Sequence, residues 1–470
     1  MNIIVGPPGT GKTTTLLSLV EDYLASGVKP QDIAYLAFTR KAANEARDRA
    51  SNKFKLPPKD FVNFRTIHSL AFYLLGLKKE QVMRRQHYEE LGDILGIDIT
   101  GHQESLDGTT YGMSNGDRLI FLEGLSRIKG RDLHDVWRDA DEEDFDWWEL
   151  ERVARALKKF KADKFLLDFT DMLSIYLNQG YVPKFQVLFI DEAQDLSPLQ
   201  WRVVETLIDK AEEVYVAGDD DQAIFTWAGA DVEYFINLSG TVTTLSNSYR
   251  LPRKVLDVAN AVINDCVHRR PKVLFAKDSL GRINYYNGPD EIDMDTGNWL
   301  LLARNGYMLT ELEKHCQMSG YSYDSIHKSP RKSPALEAIK QYEKLRSGKE
   351  TTEEGLKLAQ KYSSKPISSS GDIWHKALDK MNWREREYFM AARRRGESLV
   401  GDARIKISTI HGAKGGEADN VVVLTDVAKK VYDAMQVSMD NEARVFYVAV
   451  TRAKENLHIV QPRTNLYYEV

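Results

Sequence analysis

The chain has 470 residues, enough for about three compact units, which excludes a peptide, a disulfide mini-scaffold or a lone small binding module. Lys and Arg total 64 against 69 Asp and Glu, a net charge of −5 that advertises no global attraction to nucleic acid. Two cysteines, Cys266 and Cys316, are too few for a disulfide framework or a four-ligand zinc site. They read as idle or buried thiols in a reducing compartment. The first residues carry no basic, signal-like segment and no uncharged apolar run reaches membrane-spanning length, so a cytosolic protein with no membrane partner is expected.

In chain order, residues 2–5 read as a strand. Gly6-Pro7-Pro8-Gly9-Thr10-Gly11-Lys12-Thr13 follows, and then a helical apolar pattern through Leu16, Leu17, Leu19 and Val20. A strand, a glycine loop and a helix in this order form a phosphate cradle, in which backbone N–H groups and the helix N-terminus face the anion. Lys12 is placed to reach the β and γ phosphates and Thr13 to ligate Mg2+. A strand at 33–37 ends at Phe38 and Thr39. Another at 187–190 ends in Asp191 and Glu192, where one carboxylate can hold the metal through its water shell and the other can polarise an attacking water. The strand at 214–217 leads into Gly218-Asp219-Asp220-Asp221-Gln222, then Phe225 and Trp227. Aromatics at strand ends can stack on unpaired bases, although a core role for Phe225 stays open. A neutral glutamine amide can sense a γ-phosphate. Runs at 299–303, 405–409, 421–425 and 457–460 predict a second sheet.

Two insertions are expected. The first, 77–155, contains eight acids and no base over 139–151 and reads as a solvated face without a catalytic role. The second, 325–400, holds 17 Lys/Arg against 10 Asp/Glu, a charge of +7 that leaves −12 on the rest of the chain. It suits duplex or junction phosphates, with a solvated or partly disordered segment as the alternative.

The motifs also include Ala37-Phe38-Thr39-Arg40-Lys41-Ala42-Ala43, Thr66-Ile67-His68, Asp191-Glu192-Ala193-Gln194-Asp195 and Ser248-Tyr249-Arg250. Later come Thr409-Ile410-His411-Gly412-Ala413-Lys414-Gly415 and Tyr447-Val448-Ala449-Val450-Thr451-Arg452-Ala453-Lys454. With these in order from residue 1 to about 460, the chain resembles the UvrD/Rep-like superfamily 1A DNA helicases. The resemblance implies an α/β fold of two RecA-like, doubly wound P-loop NTPase domains, each with an inserted, mainly helical subdomain. Motor domain 1A would comprise 1–76 and 156–248, insertion 1B 77–155, motor domain 2A 249–324 and 401–470, and a short 2B 325–400.

It further implies ATP and Mg2+ as cofactors, and single-stranded and branched or tailed duplex DNA as partners. Movement would be 3′ to 5′, by a monomer in a bacterial or phage-like cytoplasm. Phe38, Phe225 and Trp227 match aromatics that contact the single strand, and Thr39, His68, Thr409 and His411 match contacts to that strand or its phosphates. Gln222 matches the residue that couples hydrolysis to DNA. Arg250 and Arg452 match arginines on the γ-phosphate, Tyr249 a tyrosine on the adenine and Glu417 an acid near the sugar.

Four departures stand out. The loop starts at Gly6, so the adenine-reading segment ahead of it is expected to be missing. Thr14 replaces a base-sandwiching arginine, Ala228 an arginine after the motif tryptophan and Gly416 a leucine. Two other readings of the motor are a translocase that remodels junctions or displaces proteins with little unwinding, and an RNA-responsive or nucleic-acid-independent ATPase switch.

Overall fold

Each set of apolar runs forms one fully parallel sheet. The computed structural model describes every residue except 102–112, 141–143, 180, 328 and 368–370; part of the acidic run and Lys328 of the basic segment lie outside the described residues. Two compact units result. The first comprises residues 1–251 and 265–277, and the second residues 252–264 and 278–470.

In the first unit the strands are β1 (Asn2–Val5), β2 (Ile33–Leu36), β3 (Phe64–Arg65), β4 (Phe185–Ile190), β5 (Ala211–Gly218) and β6 (Thr241–Thr244). Their order is β3-β2-β4-β5-β1-β6. Side chains alternate between the faces with period two, and both faces are apolar, as a sheet covered on both sides requires. Tyr35, Val187, Phe189 and Ala217 join one core with the helices Lys12–Ala25 and Arg40–Phe54. Their neighbours Leu36, Leu188, Ile190 and Val216 join another with the helices Ile67–Leu74, Phe169–Gln179 and Pro198–Ile208.

The first insertion has a core of its own, running from Met83 to Leu166 across the helices Arg85–Leu95, Asn115–Lys129, Leu133–Ala140 and Trp147–Lys164. This corrects the expected boundary at 155, which falls inside the last of these helices. Leu150, Val153, Leu157 and Phe160 recur on one face of it, and helical periodicity carries the core past that point. The described acids of the 139–151 run are used locally. Asp146 caps this helix by accepting from Glu149 N, Asp139 pairs with Arg131 at 2.7 Å, and Asp144 pairs with Arg118 at 2.5 Å.

The second unit contains β7 (Arg282–Tyr286), β8 (Trp299–Ala303), β9 (Tyr323–Ser325), β10 (Ile405–Thr409), β11 (Ala418–Leu424) and β12 (Ala453–Val460), ordered β7-β12-β11-β8-β10-β9. Among the described residues, the basic segment shares its core with the sheet. Leu336, Tyr342, Trp374, Tyr388 and Phe389 from it share one core with Trp299, Leu301, Ile405, Ile407 and Val422 of the sheet. Its helices Pro334–Arg346 and Trp383–Arg395 are amphipathic, with buried apolar faces beneath a charged exterior. On the other side, the helices Arg253–Ile263 and Asp440–Val450 pack together and against β7, β11 and β12. Neither cysteine forms a disulfide, and both are buried. No helix among the described residues is long and apolar enough to cross a membrane.

Leu157→Ala is expected to destabilise the insertion by about 2–5 kcal/mol, as for a large-to-small change in a packed core. Urea unfolding checks this, and a negligible change would place Leu157 outside that core.

Candidate nucleotide and nucleic-acid sites

The phosphate loop connects β1 to the helix Lys12–Ala25, and Gly9 and Gly11 adopt left-handed backbone at φ 73 and 82. Its conformation is closed from within: Thr10 Oγ1 donates to Pro7 O at 2.8 Å and Lys12 Nζ to Gly6 O at 2.7 Å. The ammonium is thus held at the loop's first residue. Thr14 is exposed on the helix.

Sheet register brings the acidic strand end to this loop. Thr13 Oγ1 donates to Asp191 Oδ2 at 3.1 Å across 178 residues of sequence, which is the pairing of hydroxyl and carboxylate that a Mg2+ ion bound with phosphates uses. Tyr35, on β2, donates to the same Oδ2 at 2.8 Å. Burial and the neighbouring Glu192 charge push the Asp191 carboxyl up to about 6, against the opposing influence of Tyr35, Lys12 and Thr13. A cation at this position would favour the ionised form. Burial and the Asp191 charge push the Tyr35 hydroxyl well upward, so it acts as a donor.

Glu192 adopts φ 56, a left-handed conformation unusual for a non-glycine residue. Its N–H donates to Asp191 Oδ1 at 3.0 Å, and its Oε2 accepts from Gln194 Nε2 at 2.5 Å. Gln194 also accepts from Asp219 N at 3.0 Å, which ties the acidic pair to the end of β5. There Asp219, Asp220 and Asp221 are each 0% exposed. Gln222 Nε2 donates to Asp219 Oδ2 at 2.7 Å. Burial alone would raise the Asp219 carboxyl, but Lys272 and Lys12 hold it below the usual range.

Residues 248–250 clasp the loop. Ser248 Oγ donates to Pro8 O at 2.9 Å and Tyr249 N to Gly9 O at 2.8 Å, while the Tyr249 ring stays 78% exposed. Tyr249 and Arg250 therefore belong to the first unit. This corrects the expected start of the second motor domain at 249: the bonds from the Ser248 hydroxyl to Pro8 O and from Tyr249 N to Gly9 O hold the segment to the phosphate loop, and the chain leaves the unit at Pro252.

Four aromatic rings form a row. Phe38 stacks on Phe225 at 5.4 Å and 22°, Phe225 lies 6.5 Å from Trp227, and Trp227 stacks on Phe121 of the insertion at 6.1 Å and 29°. Phe38, Phe225 and Trp227 are half-buried, so Phe225 is neither fully core nor fully exposed. Next to this row, Gly229 at φ 97 brings the loop against the insertion helix: a side chain there would meet Ile128 at 3.0 Å. The Thr39 hydroxyl is exposed, but it accepts from Ala42 N and caps the helix Arg40–Phe54. His68 packs edge-on against Phe169 at 5.8 Å, and burial lowers its imidazole to about 4, leaving it neutral near pH 7.

In the second unit, the structure does not place Thr409 and His411 on an exposed face. Thr409, at the end of β10, is fully buried and its hydroxyl accepts from Gly412 N at 3.1 Å; His411 is buried too. Arg452 is buried, donating to Val448 O at 2.9 Å and to Gly416 O at 3.3 Å. Glu417 lies 3.7 Å from Lys454 Nζ.

Tyr35, Gln194, Phe121 and Lys272 join the site beyond the residues expected from the sequence. Gln194 lies within the motif Asp191-Glu192-Ala193-Gln194-Asp195, and Lys272 in a basic run complementary to three consecutive aspartates. Tyr35 and Phe121 look like ordinary core aromatics, and no local signal separates them.

Residues 1–243 match the family described as UvrD/REP helicase N-terminal domain, and residues 385–464 that described as UvrD-like helicase C-terminal domain. The chain is 25% identical over 351 residues to the ATP-dependent DNA helicase PcrA of Staphylococcus epidermidis, covering 69% of this chain and 45% of the relative. For PcrA of Bacillus subtilis the values are 26% over 320 residues, 62% and 41%. For PcrA of Staphylococcus aureus they are 23% over 349 residues, 69% and 45%. These matches span less than half the length of the curated relatives.

A Cβ on Gly9 would lie 2.4 Å from Arg250 Cβ and 2.9 Å from Ser248 Oγ. Gly9→Ala is therefore expected to strain the clasp by about 1–3 kcal/mol and to weaken nucleotide binding by roughly tenfold or more. Titration with a fluorescent nucleotide measures the change.

Proposed function

Because the chain belongs to the UvrD/Rep helicase family, we propose that it hydrolyses ATP to move along single-stranded DNA, 3′ to 5′, and to separate tailed or branched duplex ahead of it. One observation carries the reading. A single loop, 219–227, holds the Gln222 amide beside the nucleotide strand ends and the Phe225 and Trp227 rings in the aromatic row. Phosphate occupancy and base stacking thus act on the same short segment.

The phosphate loop and Lys12 bind the triphosphate, with Thr13 and Asp191 as the residues that would hold Mg2+, which when bound neutralises charge on the phosphate oxygens. Glu192, oriented through Gln194, accepts a proton from the attacking water. Arg250, next to the clasp on the phosphate loop, is the cation for charge developing on the transferred phosphoryl group. The exposed Tyr249 ring offers a stacking face for the base. Along the DNA, the aromatic row stacks on bases without reading sequence, with Thr39 and a neutral His68 near the strand. Thr409 and His411, being buried, support their strand's end rather than contact DNA directly. The protein acts as a monomer in a bacterial or phage-like cytoplasm.

A second reading, translocation with little unwinding, is favoured by the packing of the described residues of 325–400 into the core of their own unit. Strand displacement on duplexes with a 3′ or a 5′ tail separates the two readings and reports polarity.

Lys12→Ala and Glu192→Gln are each expected to abolish DNA-stimulated hydrolysis with the melting transition retained. Equal hydrolysis by the wild-type protein without polymer, with single-stranded DNA and with RNA would refute the reading. Trp227→Ala should weaken single-strand affinity by about 1–3 kcal/mol, read by fluorescence anisotropy, and reduce unwinding more than basal hydrolysis.

A further inference from the structure

The turn after β5 is held by a strap that the nucleotide chemistry does not itself use. Residues 265–277 return to the first unit between two segments of the second, and three of them reach the consecutive aspartates. The Lys272 side chain is 2% exposed, and its Nζ lies 2.8 Å from Asp219 Oδ1, 2.5 Å from Asp220 Oδ1 and 3.1 Å from Asp221 Oδ2. Arg269 forks onto Asp221 at 2.8 and 2.5 Å, and Arg270 N donates to Asp220 Oδ2 at 2.8 Å.

These carboxylates do not all face the same way. Asp220 and Asp221 direct both oxygens at the strap. Asp219 divides its two: Oδ1 takes the ammonium and Oδ2 accepts from Gln222 Nε2 at 2.7 Å. An ion held on one oxygen of a fully buried carboxylate fixes the plane of the group, and with it the direction in which the other oxygen accepts. Asp219 also feels the charge of Lys12, so it stands between the strap and the phosphate loop.

We propose that Lys272 is a positioning residue for Gln222: through Asp219 it sets the orientation of the amide that senses the γ-phosphate. The inference rests on the role given to Gln222 above. Lys272 touches neither nucleotide nor DNA, and its contribution to turnover passes through Gln222. A merely structural ion cluster would instead add its own loss to that of Gln222, because independent defects multiply in rate.

The test is a double-mutant cycle on the full chain, with kcat and KM for ATP measured at saturating single-stranded DNA for wild type, Lys272→Met, Gln222→Ala and the double variant. Lys272→Met is expected to lower kcat about tenfold with KM changed by less than about twofold, and the double variant to be no slower than Gln222→Ala alone within about twofold. A double variant slowed by the product of the two single losses, or a Lys272→Met variant with unchanged kcat, overturns the inference. Should Lys272→Met alone fail to fold, Lys272→Met combined with Asp220→Asn removes one buried charge along with the cation and goes through the same cycle, with the same two outcomes. Wild-type protein that DNA does not stimulate overturns the functional reading and this inference together. Stimulated wild type with multiplicative losses overturns this inference alone.

Discussion

One peptide link at the end of β5 spaces the nucleotide site. Gly218 O accepts from Gly6 N at 3.1 Å on one side, and Asp219 N donates to Gln194 Oε1 at 3.0 Å on the other. β5 lies between β1 and β4 in the sheet, so the phosphate loop and the acidic pair are not neighbours by strand pairing; this link bridges them. The position tolerates nothing larger than glycine, since a Cβ at Gly218 would meet Gln194 Oε1 and Phe235 at 2.7 Å. The contact between Thr13 and Asp191, the hold of Gln194 on Glu192 and the placement of Gln222 all depend on it.

The electrostatics follow from burial rather than from total charge. Three carboxylates at 0% exposure would be intolerable unpaired, and Arg269 and Lys272 answer them locally. The second unit holds a comparable pair, Arg304 on Glu442 at 2.6 and 2.7 Å. The basic segment 325–400 shows the opposite case. Many of its charges lie on the outer faces of helices whose inner faces build a core, so the count of +7 describes a surface more than a binding site.

Much of the nucleotide site was legible because its residues stand where buried parallel strands end, and apolar runs of β-branched and aromatic residues mark those ends plainly. β2, β4 and β5 appear close to where their apolar runs lie, with Phe38, Asp191 and Gln222 just beyond. Shorter strands were not legible. β3 has two residues, and β6 is exposed throughout, so neither carries an apolar run. The helices of 325–400 are what the resemblance implied, but the core they share with the sheet escaped, because Lys and Arg mask a sparse apolar face and Tyr342, Trp374 and Phe389 are too widely spaced to advertise it. Thr409 and His411 stand at the matching positions, and their burial at the end of β10 was not legible from the motif.

The discontinuity of the first unit has a consequence for how the protein is made. Its sheet is complete in sequence by Thr244, yet the three carboxylates buried at the end of β5 wait for Lys272. During synthesis the nascent unit cannot close neutrally until the segment up to 277 has left the ribosome, and by then the helix Arg253–Ile263, which belongs to the second unit, has already emerged. The two units therefore cannot mature as beads on a string. The chain must hold an unfinished first unit while it begins the second, and a protease cut between 251 and 265 would spare the sheet while breaking the covalent path to its neutralising cation.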